Sequence, residues 1–133
     1  MNAASILDNT VGNLNGVSTL ANDNDITLTV AAGSLNVTQN VTANGAGKVD
    51  LRSAGASSDI NLNNGKTIGS SSGTVQLVAG RNITTDSANG TSTEIQTGGS
   101  VLLKEGDGIG TDSNRIEIAE VATLAAVDRK SVV

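Results

Sequence analysis

The chain has 133 residues, a formal net charge of −5 and a pI near 4.4, and it contains no Phe, Tyr, Trp, Pro, Cys or His. An acidic chain without aromatic rings repels phosphate backbones and offers bases no stacking platform, which argues against nucleic acid as a partner. The missing Cys and His remove disulfides, thiolate metal sites and the commonest general base, while 37% apolar and 16% charged residues exclude ordinary disorder.

Taken in chain order, residues 1–24 carry scattered apolar positions (Ile6, Leu7, Val11, Leu14, Val17, Leu20) without a clean register and read as a degenerate N-terminal rung or boundary. The stretch Met1-Asn2-Ala3-Ala4-Ser5-Ile6-Leu7-Asp8 lacks the basic region and apolar run of a signal peptide. No run approaches the roughly 18 apolar residues of a membrane span, so no membrane insertion by this segment is expected.

From residue 25 to 126 a short apolar–polar–apolar alternation recurs: Ile26-Thr27-Leu28, Leu35-Asn36-Val37, Val49-Asp50-Leu51, Ile60-Asn61-Leu62, Val75-Gln76-Leu77, Val101-Leu102-Leu103 and Ile116-Glu117-Ile118. Period two is the signature of a half-buried strand, and each run is shorter than a typical sandwich strand. Equivalent strand starts at Ile26, Val49, Val75 and Val101 are spaced by 23, 26 and 26 residues. A second apolar site follows at Leu35, Ile60, Ile83 and Ile109, and a third at Val41, Ile68, Ile95 and Ile116.

Three short strands per repeat of about two dozen residues predict an all-β parallel β-helix of about four to five rungs. Such a narrow interior tolerates a purely aliphatic core, whereas a roomier one needs the area that aromatics bury. Thr27, Asn36, Asp50, Asn61 and Gln76 are expected to face water. Residues 127–133 fit no rung and read as a tail or truncated end. Because a bare solenoid end exposes strand edges, neighbouring β-helix rungs are expected at both ends. An immunoglobulin-like sandwich is the weaker fold reading, given the short strands and lack of Trp.

The segment Val101-Leu102-Leu103-Lys104-Glu105-Gly106-Asp107-Gly108-Ile109-Gly110-Thr111-Asp112-Ser113-Asn114-Arg115-Ile116-Glu117, continued by Val121-Ala122-Thr123-Leu124-Ala125-Ala126, resembles a recurring unit of filamentous-haemagglutinin-like adhesins and autotransporter passengers of Gram-negative bacteria. Val75-Gln76-Leu77-Val78-Ala79-Gly80-Arg81-Asn82-Ile83-Thr84 is similar in style. The likeness covers 25–126 loosely and 101–126 more closely. It implies a right-handed β-helical shaft, secreted or held at the outer-membrane cell surface. Such a shaft presents binding regions to a receptor or glycan on a host or neighbouring cell. Neither the secretion domain nor the membrane barrel of such proteins is recognisable, so the stretch reads as interior shaft. Shaft repeats share no catalytic motif, so no catalytic residue and no cofactor carries over.

Asp107-Gly108-Ile109-Gly110-Thr111-Asp112-Ser113-Asn114 approximates one calcium β-roll nonapeptide, with Asp107 in a glycine position and Asn114 in an apolar one. Asn22-Asp23-Asn24-Asp25 is a second cluster of oxygen ligands. Asp107, Asp112, Asp23 and Asp25 are thus weak metal candidates, and ordinary polar turns are the preferred reading. Gly65-Lys66-Thr67 lacks the first glycine and the helix of a phosphate loop. The sequons at Asn36, Asn40, Asn82 and Asn89 mostly arise from strand alternation.

A glycan-cleaving or glycan-binding β-helix is the alternative function. Asp50, Asp59, Asp86, Asp107 and Asp112, with Lys48, Lys66, Arg81 and Arg115, are its available charges, and no catalytic cluster follows from their spacing. Threonines do not recur at equivalent sites, which disfavours an ice-binding face. Any specificity is expected in the variable turns at 54–59, 70–73 and 86–92.

Overall fold

The computed structural model describes the backbone of residues 4–8, 12–14, 16–20 and 22–128, and side chains within 16–20 and 22–127. The first coil contributes strands β1 (Ala4–Asp8), β2 (Gly12–Leu14) and β3 (Val17–Ser18). The second holds β4 (Ile26–Val30), β5 (Leu35–Val37) and β6 (Val41–Ala43), and the third holds β7 (Val49–Ser53), β8 (Ile60–Leu62) and β9 (Ile68–Ser70). The fourth is built from β10 (Val75–Ala79), β11 (Asn82–Thr85) and β12 (Ile95–Thr97). The fifth has β13 (Ser100–Glu105), β14 (Gly108–Ile109) and β15 (Ile118–Ala119), and β16 (Thr123–Asp128) opens the next.

Every strand pairs in parallel with its equivalents one coil away, which gives three sheets ordered β1-β4-β7-β10-β13-β16, β2-β5-β8-β11-β14 and β3-β6-β9-β12-β15. There is no helix among the described residues. The fold is a parallel β-solenoid, with coils rising by about the 4.8 Å of strand spacing.

Alternation drives it. In the first sheet Ile26, Val49, Val75 and Val101 stand in register, followed by Leu124. Two residues along runs a leucine ladder, Leu28–Leu51–Leu77–Leu103. Leu35–Ile60–Ile83–Ile109 forms the inner column of the second sheet. The third sheet stacks Val41–Ile68–Ile95 and then Ile118, not the expected Ile116. Ile116 and Ile118 share parity, so alternation cannot choose between them. The long turn after β14 supplies the two extra residues, and Ile116 still packs partly buried against the core. Apart from Leu124, Ile109, Ile116 and Ile118 in the last coils, these aliphatics are at most 5% exposed, each contributing about 1.5–3 kcal/mol on burial.

A second departure concerns Asp50. Its position is on the outer face, as expected, but it is only 4% exposed. Lys48 and Arg52, two residues to either side on the same strand face, close over the carboxylate.

Two glycine columns flank the first sheet. A Cβ on Gly80 would stand 1.8 Å from the carbonyl oxygen of Gly55, and one on Gly106 would stand 2.3 Å from that of Gly80. At the opposite corner a Cβ on Gly73 would lie 2.2 Å from the Gly47 oxygen, and one on Gly99 2.5 Å from the Gly73 oxygen. Backbones of successive coils therefore touch at these corners, leaving no room for a side chain. Hydroxyls peg the same corners: Ser70 Oγ donates to Gly47 O at 2.7 Å, and Thr97 Oγ1 to Gly73 O at 2.6 Å.

Candidate functional site

The acidic turn residues bind the solenoid to itself. Asp23 Oδ1 accepts the Ala46 N–H at 2.7 Å, and Asp25 Oδ1 accepts the Lys48 N–H at 2.7 Å, each one coil further along. Asn40 Oδ1 takes the Thr67 N–H (3.0 Å), Asp59 Oδ1 the Asn82 N–H (3.0 Å) and Asn89 Oδ1 the Arg115 N–H (2.7 Å). The fully buried Glu94 accepts from Ser92 Oγ at 2.7 Å and from the Glu117 N–H at 2.8 Å. A turn carboxylate or amide thus takes a backbone N–H of the next coil where the chain rounds a corner, at sites that are exposed for Asp23, Asp25, Asn40 and Asn89 and partly buried for Asp59 and Glu94. The device recurs at the coil period, with acceptor and donor 23 to 27 residues apart, and because the donor is a backbone N–H only the acceptor side chain is visible in the sequence.

The four metal candidates do not converge. Asp107 and Asp112 lie beyond opposite ends of the two-residue β14, the first beside Arg81 and the second exposed in the following turn. Among the described residues no three Asp or Glu side chains are placed to share a metal ion. The sequon asparagines Asn40, Asn82 and Asn89 engage their side chains in rung-to-rung hydrogen bonds.

Of the charges available to a catalytic site, the fold brings Lys48 beside Asp50, with Arg52 as a further partner that the sequence reading missed, and separately Asp59 beside Arg81. Arg52 meets Asp50 through Nε–Oδ1 at 2.9 Å and Nη2–Oδ2 at 3.0 Å, while Lys48 Nζ is 3.1 Å from Oδ2. Burial pushes the Asp50 carboxyl up, but hydrogen bonds and charge from Arg52 and Lys48 outweigh it, and its pKa lies below the ordinary 3.8. The Arg81 guanidinium, with Nε 2.8 Å from Oδ1, likewise holds Asp59 below that value.

A carboxyl lowered on folding contributes stability that is fully present above its unfolded pKa and lost as pH falls through the folded one. Urea midpoints are therefore expected to drop as pH falls below about 4. Asp50→Asn should remove part of that dependence, and at neutral pH cost on the order of 1 kcal/mol or less, since solvent screens both cations. Equal pH slopes in parent and variant would contradict this assignment.

The outer face of the third sheet carries a different feature, a shallow groove of about 550 Å³ lined by Asn40, Thr42, Thr67, Gly69, Ser70, Ser71, Gln96 and Glu120. Thr42, Gly69 and Gln96 occupy one outward register column. Gly69 is buried and has no side chain, so it forms the floor, with the exposed Thr42 and Gln96 one coil to either side. At the corner beyond β15, Glu120 takes the left-handed conformation (φ 61), and its exposed side chain completes the lining. Sequence alternation marks Thr42 and Gln96 as outward, but the depression depends on register, which alternation alone does not reveal.

No protein-family model, no curated protein and no solved structure matches the chain.

Proposed function

We propose that this chain is a shaft segment of a secreted or surface-anchored bacterial adhesin, a stiff polar rod that holds binding regions away from the cell. The observation that carries this reading is the last strand. Leu124 continues the interior column after Val101, yet it is 53% exposed, and Val127 is 45% exposed. Among the described residues no strand pairs with the outer edge of β16, and an inward aliphatic there is one that another stacked coil would bury. The regular three-sheet stack suits a mechanical role, because each added coil repeats the same ladders and lengthens the rod. The receptor or glycan of a host or neighbouring cell is then met by the parent protein, of which this is one span. The resemblance of 101–126 to haemagglutinin-like repeats supports the same reading.

Sequencing the coding DNA on both sides of this stretch tests it. Many further repeats of about two dozen residues, with a secretion domain or membrane barrel at one end, are expected. Stop codons close to both ends of the 133 residues would overturn the shaft reading and leave a small independent solenoid.

A further inference from the structure

We propose that the groove on the third sheet is a lateral binding site for a neutral, extended oligosaccharide lying along the solenoid axis. It adds to the shaft reading a contact on the flank of the rod and does not rest on that reading. The chemistry of the lining selects the ligand class. Thr42, Ser71, Gln96 and Glu120 present hydroxyl, amide and carboxylate groups, and none hydrogen-bonds another side chain or backbone group among the described residues. Donors and acceptors of both kinds are therefore free to meet sugar hydroxyls. No Lys or Arg lines the groove, so a sulfated, phosphorylated or uronate chain finds no counter-charge, and Glu120 repels it. No large apolar side chain lines it either, which removes the anchoring pockets a peptide requires.

Geometry adds a second argument. Thr42 and Gln96 are two coils apart, about 9–10 Å along the axis at the strand spacing. One coil rise is close to the length of one pyranose in an extended β-linked chain. Successive sugars can therefore meet equivalent positions of successive coils, with the bare Gly69 floor admitting one ring between the two side chains.

Titration of the ¹⁵N-labelled full chain with cellohexaose, followed by amide chemical shifts, tests the proposal, with polygalacturonate as the anionic comparison. Shift changes are expected at Thr42, Gly69, Ser71, Gln96 and Glu120, saturating at about millimolar ligand, as a shallow site with few hydrogen bonds implies. Gln96→Ala, an exposed substitution that leaves the core intact, should weaken binding roughly 2- to 10-fold through loss of a neutral hydrogen bond. Gly69→Ala should weaken it too, since its methyl stands on the floor, 3.0 Å from the Gln96 carbonyl oxygen; if that variant does not fold, Gln96→Ala decides. The proposal is overturned if cellohexaose shifts no amides, or shifts amides away from the groove. It is equally overturned if Gln96→Ala binds as the parent does, or if polygalacturonate perturbs the groove residues as strongly as cellohexaose.

Discussion

Replacing Gly80 by alanine is expected to destabilise the chain by about 3 kcal/mol or more, the upper range for forcing atoms into a packed site. Gly80 leaves β10 at the corner where its N–H donates to Ser53 O at 2.9 Å. The added methyl carbon would sit 1.8 Å from the Gly55 carbonyl oxygen and 2.7 Å from its carbon. Both neighbours are backbone, so no side-chain rotamer can relieve the clash. The coils must part at that corner, and doing so strains the Gly80–Ser53 bond and the peg that Ser53 Oγ makes to Gly33 O at 2.9 Å. Gly65→Ala is the matched control. Gly65 has φ +69, but nothing lies within 4 Å of its added carbon, so only left-handed strain of about 1–2 kcal/mol applies. Urea unfolding followed by far-UV circular dichroism separates the two, because a chain without Trp or Tyr has no fluorescence to report. Equal costs would mean that the coils do not touch at this corner.

The Gly80 column also shows what was legible in the sequence and what was not. Gly55, Gly80 and Gly106 recur at 25 and 26 residues, and Gly47, Gly73 and Gly99 at 26 and 26. These intervals are as regular as those of the apolar ladders, and they mark the corners. The apolar ladders themselves were readable because burial demands alternation wherever a strand faces the core. Register at the end of a long turn was not. Ile116 and Ile118 both satisfy the alternation, and only the number of residues consumed by the turn places Ile118 opposite Ile95.

For Asp50, alternation gives the face but not the exposure, for a related reason. Parity dictates direction, whereas the closing of Lys48 and Arg52 over it depends on their side-chain conformations. The groove of the third sheet was hidden for both reasons at once: it needs Gly69 brought level with Thr42 and Gln96 by register, and Glu120 turned to its edge by a left-handed corner. The turn acids Asp23 and Asp25 looked like ion ligands because carboxylates in a turn suit either a cation or a backbone N–H. The neighbouring coil, which supplies the N–H groups, lies 23 residues away.

Leu77 is expected to tolerate neither a smaller nor a larger side chain, and the reason joins the composition to the fold. It is fully buried in β10, in register with Leu51 below and Leu103 above, facing an interior enclosed by the columns of Ile83 and Ile95. Leu77→Ala removes its packing to both neighbouring coils and to the other two sheets, at about 2–5 kcal/mol, with the cavity term set by how far the coils can close. They can close little, because the ladder hydrogen bonds hold the coils at the strand spacing. Leu77→Phe should also cost about 1–3 kcal/mol or more, since a ring must push apart sheets that are already in contact. In a broad globular core the same exchange is often absorbed by neighbouring rotamers, and aromatics are welcome there. A chain with no Phe, Tyr or Trp in 133 residues is what an interior one aliphatic layer deep from each of three sheets requires. Should Leu77→Phe unfold at the same urea concentration as the parent, the interior is wider than these ladders make it, and the absence of aromatics must then have a cause other than packing.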